Sequence, residues 1–477
     1  MRATANPRRP TRAAPSLALA LIALLLHASA PAAFGNPPAP SKTKLRGYLT
    51  SRINDSTLAI LDDHIQLAKG GHVEARDSSN GQGLTFAGLA TGQLVEAEGI
   101  WQGKHQFSAD RITVEPGLLD KSVHETAYLQ EEPADGAKIA GGEPAELKAD
   151  GEWLTIGPKT HREWSLSAAA SETNRAGAPP VAPAALYAGR QVRYSGVRRE
   201  DGKIDTERLE LHEPAPPDAY NVPHDVRVVP GKDPQTGIEV LEFRRNDKVD
   251  GRLKLFPVRE VQRYVADLGT SLVPAGERGT TRTLEFRFFV VEDASINAQA
   301  LPDGTVLVNT GLLGAVDNEA ELAFALSHEI AHVLQAHSWR EANETRGARV
   351  GLFIAGLAGA YFVGDLSLFL SGLGMEAVVN GHQRGLENQA DRLGLQTVID
   401  RGYDPREAPR LLRTLIERYG DRSTSRLWSN HDSSVLRGSF LVVQLETQYP
   451  QGHFDGARVD TKAFQGMRDA MGPVKIE

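Results

Sequence analysis

NEAELAFALSHEIAHVLQAHS (318–338) opens with Asn318, places Glu321 three residues on, and then runs apolar in a helical rhythm. Asn followed by Glu at that offset is a capping box, so the segment predicts a helix over 319–338. On that helix His328 and His332 are four residues apart, one turn along the same face, where both imidazoles reach a single ion. The spacing HEIAH arises by chance about 0.03 times in a chain of this composition and length. Two histidines alone still leave two readings open, a metal centre or an ordinary helix, and a third ligand decides between them.

LENQADRLGLQTV (386–398) supplies a candidate. It is amphipathic, with Leu386, Ala390, Leu393 and Val398 as its apolar side. Glu387 and Asp391 lie four apart on a shared face, which by itself also describes a solvated helix surface. Two imidazoles and the Glu387 carboxylate leave a fourth position open, as a catalytic zinc requires. Asp391, one turn on, accepts a hydrogen bond from the far nitrogen of a ligand histidine and fixes its orientation. Glu329, beside the histidines, is placed to take a proton from water and return it to a leaving amine. His337 and His382 read as packing or hydrogen-bonding residues in preference to ligands.

Four ordered pieces, INAQALPDGTVLVNTGLL (296–313), the helix above, ENQADRLG (387–394) and NHDSSVLR (430–437), resemble the gluzincin metalloendopeptidases that include the CAAX prenyl protease, HtpX and BepA-like enzymes. The resemblance covers roughly residues 250 to 445. It implies one zinc per chain held by His328, His332 and Glu387, with Glu329 as general base and acid. It also places His431 and Arg437 at the substrate, one donating to an oxyanion and the other orienting it or binding peptide, and lets Asn297 and Ala298 offer main-chain contacts. The relatives usually carry proline after that histidine, and this chain has Asp432. His431 therefore keeps two further readings: a fourth ligand that holds the enzyme latent, or a surface loop residue. The strand TVLVN (305–309) is expected to present a free edge to which an extended peptide adds as another strand.

The rest of the 477 residues sets the context. Arg2, Arg8, Arg9 and Arg12, an apolar run SLALALIALLL (16–26) and the small residues of ASAPAAFG (28–35) read as a signal peptide over 1–35, the alternative being a retained anchor. Arg8-Arg9 hints at a twin-arginine leader. The expectation is export to the periplasm or outside, in solution or at a membrane. Removing those four arginines moves the formal charge from −8 to −12, which disfavours nucleic acid and anionic lipid as partners. With no cysteine, disulfides and lipoprotein anchoring are excluded, and any metal rests on His and carboxylates.

Residues 43–115 and 143–213 alternate apolar and polar residues between glycine-containing turns and read as two small all-β modules. Leu89, Gly92, Val95, Gly99, Arg111, Ile112 and Val114 correspond to Leu186, Gly189, Val192, Gly196, Arg208, Leu209 and Leu211, each 97 positions later, so module 2 repeats module 1. Both resemble OB-like barrels, and without an aromatic ladder or basic stripe they read as spacers or contacts for protein partners. Residues 130–146 and 213–223, rich in Pro, Gly and acids, suit boundaries. From 224 to 477 the texture is α+β: FPVREVQRYVADLG (256–269) is a helix with Pro257 at its first position, and LEFRFFVVED (284–293) a strand. The apolar stretch 350–379 predicts two short helices beside the site, or peripheral membrane contact.

The expected architecture is thus α+β and multidomain, two OB-like modules ahead of a mainly helical gluzincin domain. The expected function is zinc-dependent endopeptidase action on protein or peptide substrates, with envelope quality control as its setting. The rival is a latent, chaperone-like zinc protein that binds unfolded clients.

Overall fold

The computed structural model describes residues 42–76, 84–115, 122–129, 139, 144–149, 152–164, 191–199, 203–211, 217–222, 225–273, 284–344, 384–419, 434–449 and 453–476. The expectations placed on 1–35, 350–379, His382, His431 and Asp432 fall outside these residues. Everything from Lys44 on belongs to one compact unit.

The first sheet contains β1 (Thr43–Tyr48), β2 (Ser51–Asn54), β3 (Thr57–Ile60), β4 (Asp63–Ala75), β5 (Leu94–Gly103) and β6 (Gln106–Glu115), in the order β1-β5-β6-β4-β3-β2. The second contains β7 (Ser122–Tyr128), β8 (Ala145–Ala149), β9 (Glu152–Trp164), β10 (Gln191–Arg198) and β11 (Ile204–Leu211), in the order β7-β10-β11-β9-β8. In each sheet one pair is parallel, β4 with β6 and β9 with β11, and the remaining described pairs run antiparallel. The registers coincide pair for pair. Val95 faces Val114 as Val192 faces Leu211, and Ala97 faces Ile112 as Tyr194 faces Leu209. Both ladders then slip at a glycine, Gly99 or Gly196. A Cβ there would lie 2.0 Å from the Ser108 oxygen or 2.2 Å from that of Asp205, so each bulge admits glycine alone.

A meander of β12 (Arg227–Lys232), β13 (Glu239–Arg245) and β14 (Lys248–Lys254) follows, then a three-stranded sheet of β15 (Arg287–Val291), β16 (Ala298–Ala300) and β17 (Thr305–Asn309). All five residues of β17 are buried because the sheet is covered on both faces. Val306 and Val308 pack with the helices, while Leu307 on the opposite face packs with Leu241, Phe243 and Leu253 of the meander. The order of this sheet is β15-β17-β16. TVLVN is therefore the central strand and has no edge to offer, and the edge on the site's side is β16. Sequence reading missed this because β15, parallel to β17, takes up its other side.

The helices are α1 (Arg259–Leu272), α2 (Thr310–Ala315), α3 (Glu319–Leu334), α4 (His337–Glu344), α5 (Arg384–Asp400), α6 (Glu407–Tyr419), α7 (Ser434–Gln448) and α8 (Lys462–Met471). In α1 the buried stripe is Val261, Val265, Leu268 and Leu272, and the helix starts at Arg259, two residues beyond Pro257. Among the described residues no helix is long and apolar enough to cross a membrane.

α3 is the central helix, buried at every position. Its start follows the cap: the Glu321 N–H donates to Asn318 Oδ1 at 3.0 Å, and Glu321 Oε2 in return accepts the Asp317 N–H at 2.6 Å. Glu319 fixes the same end, accepting the hydroxyls of Tyr264 and Tyr403 at 2.7 Å each. The far end differs from the expected 338. The helix stops at Leu334 and Ala336 takes φ of 49°, a left-handed turn after which α4 begins.

The β modules pack directly on the helices. The Tyr48 N–H donates to Ser439 Oγ of α7 at 2.9 Å, Val435 joins the core of the first module, and Arg413 of α6 pairs with Asp62. Glu152 of the second module is held by Arg198 at 2.9 and 3.0 Å and lies 3.8 Å from Arg392 Nε of α5.

Candidate metal centre

α3 and α5 lie against each other where α5 carries Gly394. A Cβ at that position would be 3.2 Å from the His328 nitrogen, so the glycine lets the two helices approach at the first histidine. This approach brings His328, His332 and Glu387 together, their ligating atoms all within 4.8 Å of one another. The two Nε2 atoms are 3.0 Å apart, and the Glu387 carboxylate lies 3.6 Å from that of His328 and 3.5 Å from that of His332. His328 and Glu387 are fully buried and His332 nearly so. Two imidazole nitrogens and a carboxylate oxygen aimed at one another in a dry interior are a donor set for a divalent cation of the zinc type.

Each ligand is held from behind. His328 Nδ1 lies 2.9 Å from Asp391 Oδ1, and Arg437 grips the same carboxylate through Nη2 at 2.6 Å and Nε at 3.0 Å. Asp391 and Arg437 are both buried. Burial alone would depress the guanidinium, but the Asp391 carboxylate, with Glu387 and Glu329 nearby, raises it above the ordinary arginine value. Arg437 was expected at the substrate. In the structure it is a buried clamp on Asp391, and its Nη2 also lies 3.1 Å from His328 Nδ1.

Glu329 stands next to the ligands with its Oε2 accepting the Ala300 N–H of β16 at 2.9 Å. Residues 297 and 309 form a bonded pair, the Asn309 N–H donating to the Asn297 oxygen at 3.0 Å. Antiparallel alternation then turns the main-chain groups of Ala298 and Ala300 off the edge of the sheet. Asn297 also donates its N–H to the Ser295 oxygen, so both its main-chain groups are engaged within the fold. Ala298 does lie on the outward edge, and Ala300 joins it there, a residue that sequence reading passed over.

A second buried network was also missed. His332 Nδ1 is 2.8 Å from His337 Nδ1, and His337 Nε2 is 3.0 Å from Gln389 Oε1, an oxygen that also receives Arg340 Nη1 at 2.8 Å. Nothing in the spacing announces Gln389 or Arg340 as partners, since they meet only through the break at Ala336.

Compared with known proteins, residues 259–444 match the sequence profile of Peptidase family M48. This segment is thus similar to the peptidase domain of that family. A beta-barrel assembly-enhancing protease of Yersinia pestis is 34% identical over 161 residues, 32% of either chain. A protein of the same name from Escherichia coli K12 is 31% identical over 168 residues, 33% of this chain and 34% of its own. The mitochondrial metalloendopeptidase OMA1 of Schizosaccharomyces pombe is 32% identical over 155 residues, 32% of this chain and 45% of its own. The chain thus spans about a third of the length of the bacterial relatives it matches. Both β modules lie outside the matched segment, while α3, α5 and α7 up to residue 444, the helices of the metal centre, lie inside it.

Proposed function

We propose that this chain is a zinc-dependent metalloendopeptidase acting on protein or peptide substrates. The observation that carries the reading is the convergence of His328, His332 and Glu387 in a buried site with Glu329 beside them. The residues fit the metal: neutral imidazoles and one carboxylate suit zinc and leave room for a reacting group. When bound, zinc supplies the Lewis acidity that polarises the scissile carbonyl and lets water attack near neutral pH.

The chain's own residues do the rest. Glu329 takes the proton of the attacking water and passes it to the leaving nitrogen as the peptide bond breaks. Its bond from the Ala300 N–H keeps its carboxylate at the edge of β16. A substrate in extended form lies along that edge and pairs with the main chain of Ala298, which gives affinity with little demand on side chains. Asp391, clamped by Arg437, holds His328 with Nε2 forward.

The β modules lie outside this chemistry. Their shared order, in which the last strand of each sheet runs parallel to the strand two before it, supports the reading of 43–115 and 143–213 as duplicated OB-like domains, the second sheet also taking in β7 from before residue 143, ahead of a peptidase region over 224–477. They serve contacts with protein partners. Export rests on the leader-like sequence over 1–35, and envelope quality control is the setting we infer from relatives named as beta-barrel assembly-enhancing proteases.

The test is zinc content and casein cleavage for the purified chain beside Glu329→Gln. The wild type is expected to hold about one zinc and to cleave, and the variant to hold zinc with cleavage reduced about 10²- to 10⁴-fold. Zinc without cleavage in either protein would favour the latent, client-binding alternative, and absence of zinc from both would sink the reading.

A further inference from the structure

We propose that His337 is the positioning residue that sets the tautomer of His332 and so presents its Nε2 lone pair to the metal. The inference rests on the reading of His332 as a ligand. It starts from the break in the helix. Had α3 continued, a residue five positions on would lie about 140° around the axis from His332. The left-handed turn at Ala336 instead folds His337 back, with the two rings nearly perpendicular at 82° and their Nδ1 atoms 2.8 Å apart.

The protons in this chain of bonds follow from what each partner is able to do. Arginine only donates, so the Gln389 atom 2.8 Å from Arg340 Nη1 is the oxygen. That same oxygen lies 3.0 Å from His337 Nε2, which must therefore carry the hydrogen and donate. The Gln389 amide nitrogen, correspondingly, faces Gln335 Oε1 at 3.3 Å. His337 is fully buried, and a neutral imidazole with its hydrogen on Nε2 has an acceptor at Nδ1. His332 donates its Nδ1–H to that acceptor. Its Nε2 is left with a lone pair, facing the side where His328 Nε2 and Glu387 Oε1 lie.

The two ligand imidazoles are thus oriented by different chemistry. His328 leans on a carboxylate paired with arginine, whereas His332 leans on a neutral ring, which directs it without adding a formal charge.

Two substitutions separate orientation from space-filling. In His337→Asn the side-chain oxygen occupies the place of Nδ1 and keeps the acceptor. In His337→Gln the side-chain nitrogen occupies the place of Nε2 and keeps the donor to Gln389 but loses the acceptor. Zinc affinity is read by competition with a chelator, and thermal unfolding of both apoproteins establishes that each folds. Ring nitrogen NMR of the wild-type apoprotein reports the protons directly, with hydrogen expected on Nδ1 of His332 and Nε2 of His337. His337→Gln is expected to bind zinc about 10- to 100-fold more weakly, with His337→Asn close to wild type. Equal affinities in the two variants, or a hydrogen found on Nε2 of His332, would overturn the proposal while leaving the peptidase reading intact. A wild type without zinc would remove the site and this proposal with it.

Discussion

Arg437 and Asp391 form a two-bonded ion pair behind His328, at 2.6 and 3.0 Å, with both side chains sealed from water. An arginine fork matches a carboxylate in a way that a lysine ammonium does not. Arg437→Ala leaves the Asp391 charge in the interior without its cationic partner, with only His328 Nδ1 still beside it, at an expected cost of about 3–5 kcal/mol. Arg437→Lys is expected to recover only part of that stability. Zinc affinity should fall about 10- to 100-fold, since the group that orients the first histidine is no longer held. Chelator competition and denaturant unfolding of the two variants check both expectations.

Gly394 sets the separation of α3 and α5. With 3.2 Å between a would-be Cβ and the His328 nitrogen, Gly394→Val must push the helices apart. Overpacking of this kind costs about 1–3 kcal/mol. The diagnostic outcome is a loss of zinc affinity larger than the loss of stability would explain, because Glu387 moves with α5. Wild-type zinc affinity in a folded Gly394→Val protein would show that the spacing is not what assembles the ligands.

Glu321 makes the start of α3 sensitive to pH. Burial pushes its carboxyl up to about 7 from 4.5, and the Asp317 and Glu407 charges act in the same direction, against the Asp317 N–H and Arg410. Arg418, paired with Asp317, completes the charges around it. The folded state holds this proton more tightly than the unfolded state, so the group's contribution is most favourable below about pH 4.5, declines as pH rises, and is level above about 7. A shift of that size corresponds to about 3 kcal/mol. Glu321→Gln should flatten this part of the stability profile, as measured by chemical denaturation at pH 5 and pH 8.

Ser439 joins the first β module to α7. Ser439→Ala removes the acceptor of the buried Tyr48 N–H, at a cost of about 1–3 kcal/mol. The module and the peptidase region should still unfold in one transition, because Val435 lies in the core of the module. Two separate calorimetric peaks in the wild type would contradict that coupling.

The legible part of the site is the part written in helical periodicity. His328 and His332, and likewise Glu387 and Asp391, share faces because four residues make one turn, and Asn318 with Glu321 marks a start that the backbone needs in order to satisfy its first N–H groups. What escaped reading depends on neighbours distant in the chain. TVLVN looks the same whether central or at an edge, and only β15 decides. Arg437 in a short motif carries no sign of which side of the ligands it will take. Ala336 and Gln335 favour helix, yet the chain turns there, and the bonds of His337 to His332 and Gln389 lie on the other side of that turn. The two glycine bulges were visible as a repeat 97 residues apart, although why glycine is required appears only when the opposite strand is in place.

The bond between Tyr48 and Ser439 closes a loop of 391 residues. During synthesis the first module emerges long before α7, and the clamp on Asp391 is absent until the ribosome has made residue 437. The ligand helices therefore have no complete scaffold on a partly made chain, and the longest-range contacts are the slowest to form. If the chain is the peptidase proposed above, its metal centre is thus completed only late in synthesis, once α7 is in place.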